Sequence, residues 1–352
     1  MLEAPEGRNL RSCRTLIAPN ALRAAVPLTV KAAETVAGAR AAIRDVLHGS
    51  DERRLVVIVG PCSIHDPSEA LEFARRLKQT AEPLQRELVV VMRTYFDKPR
   101  TTVGWKGLLN DPDLDGSCDI EVGLARTREL LLAIGELGVP CGAEVLDPIA
   151  PRYLGDLLSW AAVGARTVES QTHRQLASGL PMPVGFKNGI DGRIETAVNA
   201  MVAAGHGHSF LGVTSGGATA ILETRGNPDV HLILRGGGGR ANYGPRDVGD
   251  ALQLLSGEGP VRSVAVDCSH GNSGKDPSRQ EAVLREVVRQ FRAGRKAILG
   301  VLLESNLEAG SQCPGDGAPL RYGVSITDGC IGWKDTERLL NETARALRSG
   351  LS

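Results

Sequence analysis

The chain has 352 residues, 42% of them hydrophobic, which is enough for one large core, and its 41 Lys+Arg balance its 41 Asp+Glu. With no net field to attract nucleic acid or an anionic membrane, any basic site must be local, and 3% aromatic residues argue against a base-stacking surface. No run approaches the roughly 18 apolar residues of a membrane span, the first residues lack a signal-peptide pattern, and seven scattered cysteines suit reduced thiols, so a cytoplasmic chain with neither nucleic-acid nor membrane partners is expected.

In chain order, residues 1–50 come first: a Pro-punctuated stretch, LIAPNALRAAVPLT, then one amphipathic helix, VKAAETVAGARAAIRDVLHG. They read as an extension for oligomer or regulatory contacts, ahead of a catalytic unit over 51–352. From Leu55 onward, short Val/Ile/Leu-rich runs alternate with helix-period segments. The runs are 55–60, 88–93, 139–144, 163–168, 183–188, 208–214, 230–235, 263–267 and 297–304. Continuous apolarity marks strands buried on both faces, as in parallel sheets, and the alternation with helices means α/β. Nine runs exceed the eight of a closed barrel. The excess falls at 208–225, where HSFLGVT, SGGA and AILETRG read as a hairpin inserted between the fifth and sixth barrel strands. The predicted fold is therefore a (β/α)8 barrel with an N-terminal extension and an inserted β-hairpin, with an open doubly wound sheet as the alternative.

Nearly every predicted strand runs into a charged or metal-capable residue: Cys62, Arg93, Glu144, Arg166, Lys187, Arg235, His270 and Glu304 in turn. In a parallel barrel these ends converge on one face, where such enzymes carry their active sites. Any one of them is explained equally well as the solvated start of a loop; the whole set is not. Arg93, Arg166, Lys187 and Arg235, with Lys98 and Arg100 close by, would be costly to gather without a polyanion, so a small, multiply anionic ligand is inferred. Cys62, His270 and Glu304, with Asp328, form a second group of mixed softness. It suits one divalent ion, Mn²⁺, Fe²⁺, Co²⁺ or Zn²⁺, better than Mg²⁺ or Ca²⁺. Singly, each has a plain alternative: Cys62 a small core residue, Asp328 a helix N-cap, His270 a hydrogen bonder. His206 and His208 in GHGH are a weaker metal pair, better explained by a Gly-flanked helix exit. RGGGGR after Arg235 is either an anion-binding backbone or simply a loop.

Several stretches then carry a resemblance: GPCSIHDP (60–67), MRTYFDKPRTTVGWKGLLNDP (92–112), SWAAVGARTVESQTHRQLASGL (159–180), PVGFKNGIDG (183–192), VDCSHGNSGK (266–275) and YGVSITDGCIGW (322–333). Across essentially its whole length the chain resembles the type I 3-deoxy-D-arabino-heptulosonate 7-phosphate synthases, in the branch that includes the amino-acid-inhibited enterobacterial enzymes. The resemblance implies a (β/α)8 barrel that joins phosphoenolpyruvate to erythrose 4-phosphate, the first step of the shikimate pathway to the aromatic amino acids. It implies that Cys62, His270, Glu304 and Asp328 bind one divalent metal. It further implies that Arg93, Lys98, Arg166, Lys187 and Arg235 hold phosphoenolpyruvate, that Glu144 orients the attacking water, and that Arg100 and Thr101 grip the tetrose phosphate. Lys98, Glu144, Lys187 and His270 become the expected catalytic set, the two lysines as alternative proton carriers, in a homodimer or tetramer. The chain departs from this branch at Pro181, near its effector pocket, and at Ser215, where relatives carry a Lys, so weak or absent inhibition by aromatic amino acids is expected. The rival readings are a related synthase of another 3-deoxy sugar acid, using a different aldose, and an inactive phosphosugar-binding regulator.

Overall fold

The computed structural model describes residues 9–10, 12–257, 261, 263–314 and 319–349. Among these residues ten strands are present: β1 (Leu55–Gly60), β2 (Leu88–Arg93), β3 (Cys141–Glu144), β4 (Leu158–Val163), β5 (Val184–Lys187), β6 (Ser209–Val213), β7 (Thr219–Glu223), β8 (Val230–Leu234), β9 (Val264–Asp267) and β10 (Ile298–Glu304). Eight of them close into a barrel in the order β1-β10-β9-β8-β5-β4-β3-β2, every barrel pairing parallel. β6 and β7 form a separate antiparallel hairpin between β5 and β8, where the sequence places it.

The continuous apolar runs have the expected cause: both faces of each barrel strand are buried. One alternate set, including Leu55, Val57 and Val59, packs outward against the helices. The other, including Val56, Ile58, Val89, Val91, Trp160, Ala162, Ile233, Ala265 and Leu302, fills the barrel interior. Ile43, Val46 and Leu47 of the helix Val30–Leu47 join this interior cluster, so that helix spends its apolar face on its own barrel. Thr29 caps it, its hydroxyl accepting from Ala32 N, and Arg40 anchors it by donating to Gly155 O and Leu158 O at 2.7 Å each.

One strand lies earlier than the sequence suggests. The fourth barrel strand is LSWAAV, and the predicted 163–168 is mostly the turn behind it. Two alanines and a serine dilute the β signal of Trp160 and Val163, whereas VGARTV, with two valines and a threonine, mimics a strand. That turn is set by Gly164 and Thr167: Thr167 N donates to Gly164 O at 3.1 Å and Gly164 N to Thr167 Oγ1 at 3.1 Å. Arg166 accordingly projects from a loop rather than a strand end.

Period-two geometry positions the site. Arg93 continues the inward series Val89–Val91, Arg235 follows Ile233, Asp267 follows Ala265, and Glu304 follows Leu302. A side chain two residues past an inward apolar one must also face the barrel axis. Each apolar series therefore ends in a charged group at the C-terminal mouth.

Candidate active site

A cavity of about 650 Å³ opens at that mouth. Its lining includes Arg93, Lys98, Arg100, Thr101, Glu144, Arg166, Lys187, Arg235, His270 and Asp328, all anticipated, and Lys275, which was not. The cations are graded by depth. Arg93 and Lys187 are buried, Lys98 and Arg235 half-buried, and Arg100, Arg166 and Lys275 exposed at the rim.

The deepest charges are paired, but incompletely. Arg93 Nη2 is 3.1 Å from Glu304 Oε1, its guanidinium lies 3.9 Å from the centre of the Tyr95 ring, and its buried Nη1 has no hydrogen-bond partner. An unpartnered guanidinium N–H in a dry site is a standing cost unless an anion arrives to take it. Lys187 Nζ is 3.0 Å from Oδ2 of Asp267, which is fully buried. Burial opposes the Lys187 charge, but Asp267, with smaller help from Tyr95 and Glu144, outweighs it and holds the ammonium protonated. Lys98 is likewise penalised by burial and held protonated by Cys62 and Glu304; its Nζ lies 2.9 Å from Cys62 O and 3.1 Å from Cys62 Sγ. Both lysines are therefore cationic in the ligand-free protein. Glu144 reaches the cavity past Gly164, where any Cβ would overlap Glu144 Oε1. At the rim Arg166 Nη2 donates to Thr101 Oγ1 at 3.2 Å, joining the loops that carry them.

The soft-ligand group also converges. Donor atoms of Cys62, Glu304 and Asp328 all lie within 4.8 Å of one another, though the three residues are far apart in sequence. His270 stands at the edge of this cluster, its Nε2 3.9 Å from Glu304 Oε1. Its Nδ1 is 2.9 Å from Asp267 Oδ2 and 2.6 Å from Ser269 Oγ, which itself donates to Asp267 Oδ1 at 2.7 Å. A carboxylate that holds one imidazole nitrogen fixes the ring and its tautomer, and leaves the other nitrogen's lone pair for a cation. His270 adopts φ +54, a conformation uncommon outside glycine and found at functional sites. The donor set fits a divalent ion. Burial pushes the Cys62 thiol up, Glu304 adds to this, and a cation among them would reverse that penalty.

Other readings resolve plainly. His206 Nδ1 and His208 Nε2 meet the carbonyls of Val202 and Ala203 at 2.8 and 2.7 Å, so each ring is tied to the end of the preceding helix, as a Gly-flanked helix exit implies. The RGGGGR glycines do not line the cavity. Gly236 and Gly237 instead press against the backbones of Gly271 and Gly192, so the run is there for close packing rather than for anion binding. Asp328 caps no helix, since the next one starts at Trp333.

Fold and cavity together define a (β/α)8 enzyme whose mouth gathers cations for an anionic substrate beside a cluster of metal-capable donors. The DAHP synthetase I family matches residues 26–341, and the chain belongs to that family. It is 51% identical over 340 residues to the Tyr-sensitive phospho-2-dehydro-3-deoxyheptonate aldolase of Escherichia coli (strain K12), covering 96% of this chain and 95% of that one. It is also 51% identical over 340 residues to the Phe-sensitive enzyme of the same strain, covering 97% of each. A solved structure of the phospho-2-dehydro-3-deoxyheptonate aldolase of Francisella tularensis SCHU S4 superposes with a TM-score of 0.94 at 44% identity, over 97% of this chain and 99% of that one.

Proposed function

We propose that this chain condenses phosphoenolpyruvate with erythrose 4-phosphate and water, giving 3-deoxy-D-arabino-heptulosonate 7-phosphate and inorganic phosphate. The observation that carries the reading is the unpartnered, buried Nη1 of Arg93 in a cavity that also holds Lys98, Lys187 and Arg235. A phosphate and a carboxylate on one small molecule match that array; a neutral sugar does not.

In this reading Arg93, Lys98, Lys187, Arg235 and Arg166 bind phosphoenolpyruvate, the buried cations fixing its orientation and excluding water. Arg100 and Thr101 hold the phosphate of the tetrose at the exposed rim. Cys62, His270, Glu304 and Asp328 would hold a divalent ion, which supplies Lewis-acid polarisation of a carbonyl oxygen when bound. C3 of phosphoenolpyruvate forms a C–C bond to the aldehyde carbon, and the former aldehyde oxygen takes a proton. Lys98 and Lys187 both carry one to give. C2 is left electron-poor and accepts water oriented by Glu144, which takes the proton released. The bond between C2 and the phosphate ester oxygen then breaks as the new C2 hydroxyl becomes the ketone and gives its proton to the departing phosphate, whose charge the cation cluster stabilises.

The chain has no helix long and apolar enough to cross a membrane among the described residues. The cysteines at 13, 62, 118, 141, 268, 313 and 330 are all free. These features support a cytoplasmic enzyme. The exposed Leu211–Ile221 pair on the hairpin supports a homo-oligomer. Pro181 and the exposed Ser215 at the hairpin turn support weak feedback by aromatic amino acids.

The test is phosphate release from phosphoenolpyruvate with either aldose. Erythrose 4-phosphate is expected to support turnover at least ~100-fold better in kcat/KM than arabinose 5-phosphate, a discrimination within reach of a site built to hydrogen-bond its substrate. Preference for the pentose would point to the other sugar-acid synthase, and no turnover with either to the inactive regulator.

A further inference from the structure

The segment 305–332, which follows β10 and carries Asp328, includes no helix or named strand among its described residues, yet it must hold one donor against Cys62 and Glu304. It is tied to the start of the chain's first barrel unit at three points. Ser63 Oγ lies 2.8 Å from Thr327 Oγ1, beside the two residues whose donors meet. Gly323 N donates to Glu69 Oε1 at 2.6 Å, and Tyr322 Oη donates to Glu72 Oε2 at 2.9 Å. Glu69 and Glu72 lie in the first two turns of the helix Pro67–Ala81. That helix starts five residues after Cys62 and is fixed by Asp66, whose side chain accepts from Ser68 N at 2.7 Å.

Glu69 is the unusual member. It is 5% exposed, on a helix whose other buried residues include Ala70, Phe73, Ala74 and Leu77, a place where an apolar side chain would be cheaper. Burial pushes its carboxyl up to about 7, even though the Gly323 N–H pulls the other way. His65 Nε2, 3.6 Å away, is itself buried, and burial lowers its affinity for a proton. The acceptor side of the clamp is thus maintained at a cost, and its donor side is equally constrained. Gly323 has φ +77, and an added Cβ would stand 2.7 Å from Leu307 Cβ, so the N–H can be presented this way only by glycine.

We propose that Glu69 is a positioning residue for the metal-capable cluster: by clamping Gly323 it sets the loop that brings Asp328 to Cys62. The proposal rests on the metal-site reading above. Supports behind a metal ligand are worth about 10–100-fold in metal affinity.

The experiment titrates the metal-free protein with Co²⁺ alone, following thiolate-to-cobalt absorption in competition with a chelator. Glu69→Ala is expected to bind Co²⁺ about 10–100-fold more weakly than the parent protein. Glu69→Gln, whose carbonyl oxygen can still accept from Gly323, should stay within a few-fold. Leu77→Ala, a cavity on the same helix away from the clamp, should lower Tm and leave Co²⁺ affinity unchanged, separating positioning from general stability. Should Glu69→Ala not fold, Tyr322→Phe removes the neighbouring tie at an exposed position and should weaken Co²⁺ by a few-fold. Parental affinity in a folded Glu69→Ala, or in Tyr322→Phe where Glu69→Ala does not fold, or an equal loss in Leu77→Ala, overturns the proposal. A cobalt–thiolate band that is missing in the parent, or that survives Cys62→Ser, overturns instead the metal-site reading beneath it.

Discussion

Stripping divalent metal with a chelator should abolish phosphate release from phosphoenolpyruvate and erythrose 4-phosphate, and adding back Mn²⁺, Co²⁺ or Zn²⁺ should restore it. Cys62→Ser should reproduce much of that loss, with partial recovery at high metal. The reason is the donor set. Cys62 supplies the one soft atom among two carboxylates and an imidazole, and a hydroxyl in its place is a poor ligand for these ions. Its removal should weaken metal binding by more than the ~10–100-fold that loss of an outer partner costs. Steady-state phosphate release, measured with and without chelator for both proteins, checks this. Full activity in chelator would remove the ion from the reaction.

Lys187→Met should lower kcat/KM by about 10²–10³-fold, the range for deleting a preorganised charge that acts on the transition state. It should also destabilise the fold, because the wholly buried Asp267 would lose its ion-pair partner and keep His270 and Ser269 as its direct contacts. Removing one partner of a buried pair typically costs about 3–5 kcal/mol, whereas removing both is often close to neutral. The double variant Lys187→Met/Asp267→Asn should therefore recover much of the stability and none of the activity, since it restores no cation and loosens His270 as well. Denaturant unfolding alongside kinetics separates the two effects. A stable, active Lys187→Met protein would show that the pair serves neither role.

The barrel and most of the cavity were legible because both depend on the same period-two alternation. Apolar runs buried on two faces give parallel strands, and the last inward position of each is free to be polar. Arg93, Arg235 and Glu304 could be read that way directly. Asp267 obeys the same rule, following Ala265 inward, but it looked like an ordinary strand end beside the more conspicuous His270. Its role as the group that holds both Lys187 and His270 is a matter of contact, which spacing does not report. Lys275 reaches the cavity from a residue with φ +64, a local conformation that composition does not reveal. Arg166 was placed one element too early because LSWAAV carries a weaker strand signature than the turn behind it. Glu69 was invisible for another reason: on a helix wheel it is one more acidic residue near an N-terminus, and only burial against Gly323 distinguishes it.

All of this depends on Cys62, His270, Glu304 and Asp328 acting on a single ion beside the cation-lined cavity. Crystals grown with Mn²⁺ and phosphoenolpyruvate, with anomalous diffraction collected to locate the metal, test that directly. We predict one strong peak ligated by those four side chains, with the substrate's anionic groups on Arg93, Lys187 and Arg235. Manganese bound only elsewhere, with Cys62 and Asp328 turned away from each other, would contradict it.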